Sequence, residues 1–220
     1  MDNYKILVKN KLTELVKYSL KDKSIWLLLL SNILATWFMI NAKQGVTSFL
    51  MIFWVQSFII GLFNVVRILR LKEFSVNGLR TNGQLATNTP ATKYDTALFF
   101  IAHYNLFLLV ALNAILGLPL KEILFEGVLQ KQLNLIIIPG SIFFVNHLFS
   151  FIYNAPRDTK KQNVGTLMFY PYIRMLPLFL ASFFVLSNIV VGVINLLVIK
   201  TITDLITHAI EHQIRKGEDH

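Results

Sequence analysis

The chain has 220 residues, 55% of them hydrophobic, and a formal net charge of +9. It contains no cysteine, which excludes disulfide bonds, thiolate metal sites and a cysteine nucleophile. The positive charge lies beside apolar segments, a pattern that favours anionic lipid as the partner and predicts no nucleic-acid binding.

The chain begins with a basic segment and continues with long apolar ones. Residues 1–24 carry six lysines with apolar residues between them, which predicts an amphipathic helix on a membrane surface and not a cleaved signal peptide. Six apolar segments of membrane-crossing length follow, so we predict an all-α bundle of six transmembrane helices. The predicted spans are 25–41, 47–70, 96–116, 133–153, 168–186 and 189–213. They form one transmembrane domain over residues 25–213, and residues 214–220 form a cytoplasmic tail.

The distribution of lysine and arginine predicts the orientation of these spans. In membrane proteins these residues accumulate in cytoplasmic segments. From the N-terminus to the C-terminus, the segments between and beyond the spans hold 6, 1, 5, 2, 3, 0 and 2 of them, where the count of five includes Arg67 and Arg70 at the end of the second span. The alternation predicts that both termini are cytoplasmic.

Ionisable residues accumulate in the last predicted span. Lys200, Asp204, His208 and His212 follow one another at intervals of four residues, and residues four apart share one face of a helix. Ionisable groups are costly inside a bilayer and therefore usually mark a functional site. A simple ion pair between Lys200 and Asp204 within the helix remains the alternative for these two residues.

Two other spans bring histidines to a similar depth. His103 in the third span and His147 in the fourth are expected roughly 8–14 Å below the cytoplasmic boundary, as is Asp204, at a rise of about 1.5 Å per residue. Imidazole and carboxylate groups are ligands of zinc and other divalent transition metals. The predicted metal ligands are His103, His147, Asp204, His208 and His212. Zinc is the expected metal and iron the alternative, whereas a hydrogen-bond network without metal is the simpler interpretation.

Other polar residues in the spans are predicted to support this site. Those expected to orient the histidines are Asn64, Tyr104, Asn146 and Ser150. Ordinary hydrogen bonding between helices explains them equally well. Arg174 and Lys200 are predicted catalytic residues that would stabilise developing negative charge, although Arg174 also lies close enough to the boundary to reach it with its side chain.

These patterns predict an integral membrane metalloenzyme, a zinc-type hydrolase that acts on a lipid or another amphiphile. Membrane lipids are the expected partners, and the formation of homo-oligomers is left open. Two alternatives belong to other classes. One is a transporter or channel for a metal cation or protons, and the other is a structural membrane subunit in which the polar layer joins the helices.

The motifs also resemble those of a family of small prokaryotic multi-span membrane proteins that is classified as a domain of unknown function. The motifs that carry the resemblance are His103-Tyr104, Asn146-His147, Pro171-Tyr172-x-Arg174 and the series from Lys200 to His212. The resemblance covers roughly residues 48–213 and implies a multi-pass protein of a prokaryotic plasma membrane. The last helix is similar, by analogy only, to that of zinc-dependent membrane amide hydrolases of the ceramidase and adiponectin-receptor type.

Overall fold

A computed structural model describes most of the chain. The described residues are 23–41, 45–81, 83–118, 120–125, 128–158, 162–186 and 193–217. The predicted amphipathic helix over residues 1–24 therefore lies almost entirely outside the described residues, as do residues 218–220 of the predicted tail.

Helices dominate the described residues, as the sequence predicts. The helices are α1 (Lys23–Asn41), α2 (Val46–Arg70), α3 (Pro90–Leu116), α4 (Leu120–Phe125), α5 (Val128–Asp158), α6 (Val164–Leu186) and α7 (Val193–Gly217). Four short strands accompany them, namely β1 (Phe74–Ser75), β2 (Arg80–Thr81), β3 (Gln84–Leu85) and β4 (Gln162–Asn163).

Local sequence signals determine where α3 begins and ends. The Thr89 hydroxyl accepts a hydrogen bond from the Thr92 N–H, and Pro90 occupies the first helical position, where its missing N–H costs nothing. Gly117 ends the helix in the left-handed conformation with φ of 63°, which glycine adopts without steric cost.

Within the described ranges, four helical segments are long and apolar enough to cross a membrane. They are Val46–Arg70, Pro90–Leu116, Ile136–Ala155 and Val164–Phe183. These segments correspond to the second, third, fourth and fifth predicted spans. In α1 the apolar stretch is the shorter Ile25–Phe38, and α7 contains the buried charges Lys200 and Asp204.

The helices pack around α2. This helix contacts α3, α5 and α6, and α3 also contacts α6. Helix α1 lies at the edge of the bundle, where its main contacts are with α5 and α7. The arrangement therefore brings the first described helix against the last one, although they are the most distant in sequence.

The connection between α2 and α3 folds against the start of α6. Strand β1 pairs in parallel with β4, and β2 pairs with β3 as a small antiparallel hairpin. The Lys93 ammonium donates hydrogen bonds to the carbonyls of Leu69 and Leu71, which lie at the end of α2 where helical carbonyls lack partners. These contacts join the ends of α2, α3 and α6.

Candidate functional site

A buried polar cluster joins α1 to α7. Lys200 and Asp204 form an ion pair with Nζ and Oδ2 2.7 Å apart. The Asn32 side-chain amide donates to the same carboxylate oxygen at 3.3 Å, and its carbonyl oxygen accepts a hydrogen bond from the Lys200 ammonium. The three side chains thus form a closed ring of hydrogen bonds, and the ion pair within α7 that the four-residue spacing suggested is confirmed.

All three side chains of this ring are buried. Lys200 is 6% exposed, Asp204 5% and Asn32 4%. Removing a charge from water costs several kcal/mol unless a partner of opposite charge and further hydrogen bonds compensate it. Here the two charges compensate each other, and Asn32 forms a further hydrogen bond with each of them.

Two aromatic rings complete the surroundings of the ammonium. Lys200 Nζ lies 5.1 Å from the ring centroid of Phe53 on α2 and 4.7 Å from that of Phe143 on α5. Both distances are within the range of an attractive cation–π interaction. Lys200 therefore contacts side chains from α1, α2 and α5 in addition to Asp204 on its own helix.

A second cation acts on this pair from α6. The Arg174 guanidinium interacts electrostatically with both Lys200 and Asp204, and also with the Tyr104 hydroxyl on α3. Arg174 is half-buried. The two predicted catalytic residues, Arg174 and Lys200, therefore interact electrostatically.

His103 lies in an aromatic cluster between α3 and α6. Its Nδ1 is 2.8 Å from the Tyr172 hydroxyl, and its ring lies between those of Phe99 and Phe107. The Tyr172 ring also meets that of Tyr104 edge-on, with centroids 5.3 Å apart. This histidine therefore has a hydrogen-bonding partner of its own that lies on α6.

His147 lies between α5 and α2. Its Nε2 is 3.5 Å from the side-chain nitrogen of Gln56. Because an amide nitrogen can only donate, this contact requires an unprotonated Nε2 on the histidine. His147 thus has a partner different from those of His103 and Asp204.

The residues predicted to orient the histidines make other contacts. Asn64 donates to the backbone carbonyl of Leu167, and Tyr104 donates to that of Ser57. Ser150 accepts hydrogen bonds from the Asn154 amide through its carbonyl and its hydroxyl, and Asn146 is buried. The contacts of Asn64 and Tyr104 are ordinary hydrogen bonds between helices, which was the alternative interpretation of these residues.

The predicted metal ligands do not converge in the described part of the chain. Among the described side chains, no three of His, Asp and Glu form a group suited to a metal ion. The side chains of His208 and His212 lie outside the described set, and their backbone continues α7 beyond Asp204. At Asp204 the fit is poor, because the Lys200 ammonium 2.7 Å from Oδ2 would repel a divalent cation at that oxygen. A shared metal remains a prediction.

Sequence reasoning missed Asn32 and the two phenylalanines. A single asparagine in the middle of the apolar segment 25–41 was a usable signal, since a polar group there needs a partner. The identity of that partner depends on α1 lying beside α7, which no local pattern reveals. Phe53 and Phe143 are two of 18 phenylalanines, and nothing in their sequence context distinguishes them.

The fold and the site define a helical protein whose described part contains four helices long and apolar enough to cross a membrane and a charged cluster buried between α1 and α7. The model of DUF6498, a family of unknown function, matches residues 14–220, so the chain belongs to that family. This membership confirms the predicted resemblance to an uncharacterised family. No curated protein and no solved structure matches the chain.

Proposed function

We propose that the protein is an integral membrane transporter of protons and that the Lys200–Asp204 pair is its translocation site. The observation that carries this proposal is the burial of a complete ion pair at the contact between α1 and α7. Ionisable residues are energetically costly inside a membrane. Those that occur in membrane helices commonly belong to ion pathways and proton relays.

The ion pair suits alternation between two states, one with Asp204 ionised and one with Asp204 protonated. With Asp204 ionised, Lys200 has its counter-ion at 2.7 Å. When Asp204 takes up a proton, Lys200 keeps its charge but loses the carboxylate that compensates it. The cluster must then release a proton or rearrange, because an uncompensated charge is costly in a buried position. Uptake and release on opposite sides of the bundle would move a proton across it.

The site is enclosed in the conformation described here. A cavity of about 10 Å³ lies beside the ammonium, and its wall includes Asn32, Phe53 and Phe143. This is about the volume that one water molecule needs. Transport therefore requires an opening, and α1 is the element that we expect to move because it lies at the edge of the bundle.

Ion flux into proteoliposomes tests the proposal. Purified protein is reconstituted with a pH-sensitive dye inside the vesicles, a membrane potential is applied, and proton and metal-cation uptake are measured separately. We expect flux with the natural protein, at most background with Asp204→Asn, and near-normal flux with Thr203→Val. Thr203 is a matched control because its hydroxyl bonds to the Ile199 carbonyl of its own helix. Equal flux with Asp204→Asn and the natural protein would refute the proposal.

We also propose the complete topology that the sequence predicts. It has six spans, an interfacial N-terminal helix and both termini on the cytoplasmic side of a prokaryotic plasma membrane. The four apolar helices and the alternating counts of basic residues support it. Reporter fusions at each terminus test the orientation, and an external signal from either end would contradict it.

A membrane metalloenzyme is the second candidate. It is favoured by the continuity of α7 over Val193–Gly217, because Asp204, His208 and His212 then follow at helical turns of a single helix. Zinc, or alternatively iron, bound by the histidines would activate water for hydrolysis of a lipid or another amphiphile, with Arg174 stabilising the developing negative charge.

Metal analysis separates the two candidates. The enzyme proposal expects stoichiometric metal in the purified protein, loss of that metal in His208→Ala and His212→Ala, and a lower unfolding temperature after treatment with a strong chelator. Purified protein without stoichiometric metal, together with an unchanged unfolding midpoint after chelation, would exclude it.

A further inference from the structure

An apolar groove of about 500 Å³ runs between α1 and α7. Its lining residues include Leu29, Ile33, Trp37, Ile40, Val198 and Ile202. Ile33, Trp37, Val198 and Ile202 are each at least half exposed, so the groove is open on its outer side. In a membrane this opening faces the lipid hydrocarbon, and the groove volume is within the range of sites for small molecules.

The groove is adjacent to the buried ion pair. Asn32, Thr36 and Leu197 line both the groove and the small cavity that borders Lys200. A single layer of side chains thus separates the hydrocarbon side from the ammonium. Asn32 is the polar member of this layer that bonds to both charged groups.

We propose that the groove binds a long-chain carboxylic acid taken from the lipid phase, with the chain along α1 and the carboxyl group in the place that Asn32 now occupies beside Lys200 and Asp204. This inference rests on the proposed function, because it uses the same ion pair. It adds the chemical class of the ligand that binds beside that pair. The lining from Leu29 to Ile40 extends for about 16 Å at a rise of about 1.5 Å per residue, which suits an extended acyl chain.

The charges favour an acid over other amphiphiles. The charges of Lys200 and Asp204 cancel, so an incoming headgroup that is neutral adds no charge to the buried cluster. A protonated carboxyl group meets this condition. Once it is inside, its O–H group can donate to the Asp204 carboxylate and its carbonyl oxygen can accept from the Lys200 ammonium, as the Asn32 amide does now, so that the total charge stays constant. Arg174 adds a positive field that disfavours a cationic headgroup.

Photolabelling in vesicles tests the proposed ligand. Full-length protein is treated with three probes that carry the same photoreactive alkyl chain and end in a carboxyl, a hydroxyl or a trimethylammonium group. We expect the carboxylic acid to label the groove residues of α1 and α7 selectively and unmodified oleic acid to compete with it. The double variant Lys200→Met/Asp204→Leu keeps the cluster neutral and should weaken that competition about tenfold, as expected for the loss of a hydrogen bond to a charged group.

The groove on the other side of α1 provides a matched control. It also has a volume of about 500 Å³, and Ser141 lines it. Ser141→Ala should leave labelling of the α1–α7 groove unchanged. Equal labelling by all three probes would show ordinary lipid contact and overturn the inference, as would the absence of labelling. Loss of ion flux in Asp204→Asn without any preference for the acid would retain the proposed function and refute only the ligand.

Discussion

Two regions of the bundle are held together by different forces. Between α2 and α3, Gly61 allows the Tyr104 ring to lie directly against the backbone of α2, and a Cβ at this glycine would be 2.5 Å from Tyr104 Cε1. Tyr104 is 2% exposed and donates its hydroxyl hydrogen to the Ser57 carbonyl. This seam is held by close packing, with a hydrogen bond that fixes the ring.

Between α1 and α7 the contact is made by polar and charged side chains. Apolar grooves of about 500 Å³ flank α1 on both sides, and the ring of Asn32, Lys200 and Asp204 lies between the helices. Regions with few packed contacts open at lower free-energy cost than a packed core does. We therefore expect the α2–α3 seam to maintain the fold and the α1–α7 edge to move more readily.

The largest expected effect on stability comes from removing one partner of the ion pair. Lys200→Met leaves the Asp204 carboxylate buried without its cation, so we expect a loss of about 3–5 kcal/mol in the free energy of unfolding. Unfolding of the purified protein in detergent, followed by circular dichroism against temperature or denaturant, measures the loss. A change below about 1 kcal/mol would show that the pair is not buried as described.

Removing both charges should cost less than removing one. Lys200→Met/Asp204→Leu fills the same space with apolar groups, and such replacements are often neutral or stabilising. We expect the double variant to unfold at a higher temperature than Lys200→Met in the same assay. A double variant as unstable as the single one would mean that the charges themselves stabilise the edge.

The next effect tests the packed seam. Gly61→Ala places a methyl group against the Tyr104 ring, and overpacking of this kind typically costs about 1–3 kcal/mol. Gly140→Ala is the matched control in another helix, because its nearest neighbour is Val55 Cγ1 at 3.3 Å and a small shift of that side chain relieves the contact. Equal unfolding midpoints for the two variants would contradict the difference in packing.

The smallest effect concerns the hydroxyl that fixes this ring. Tyr104→Phe keeps the stacking on Phe100, with ring centroids 4.9 Å apart, and removes the hydrogen bond to the Ser57 carbonyl. We expect a loss of about 1 kcal/mol, the usual net contribution of such a bond. Tyr94→Phe, at an exposed position, should change the unfolding midpoint little, and a larger effect there than at Tyr104 would be inconsistent with this account.

The sequence predicts the packed region better than the charged edge. Membrane-crossing length and apolar composition locate α2, α3, α5 and α6, because these properties are local. The spacing of Lys200 and Asp204 also predicts their ion pair, since residues four apart meet on any helix. The sequence therefore predicts where the helices lie and which side chains pair within one helix.

Contacts between helices are not readable in the same way. Equal predicted depth suggested that His103, His147 and Asp204 would meet, but depth does not determine which face of a helix a residue occupies. In the structure His103 faces Tyr172 and His147 faces Gln56, while Asp204 pairs with Lys200 and Asn32. The contribution of α1 depends on its position next to α7, which is a tertiary property.

We propose that the buried pair serves transport and not stability. Ion flux through the Lys200→Met/Asp204→Leu variant tests it most directly, because this variant removes both charges without leaving an uncompensated one. In proteoliposomes with verified insertion, we predict that the variant is folded and unfolds at a temperature close to that of the natural protein, but that proton flux falls to background. A folded double variant with unchanged flux would contradict the claim.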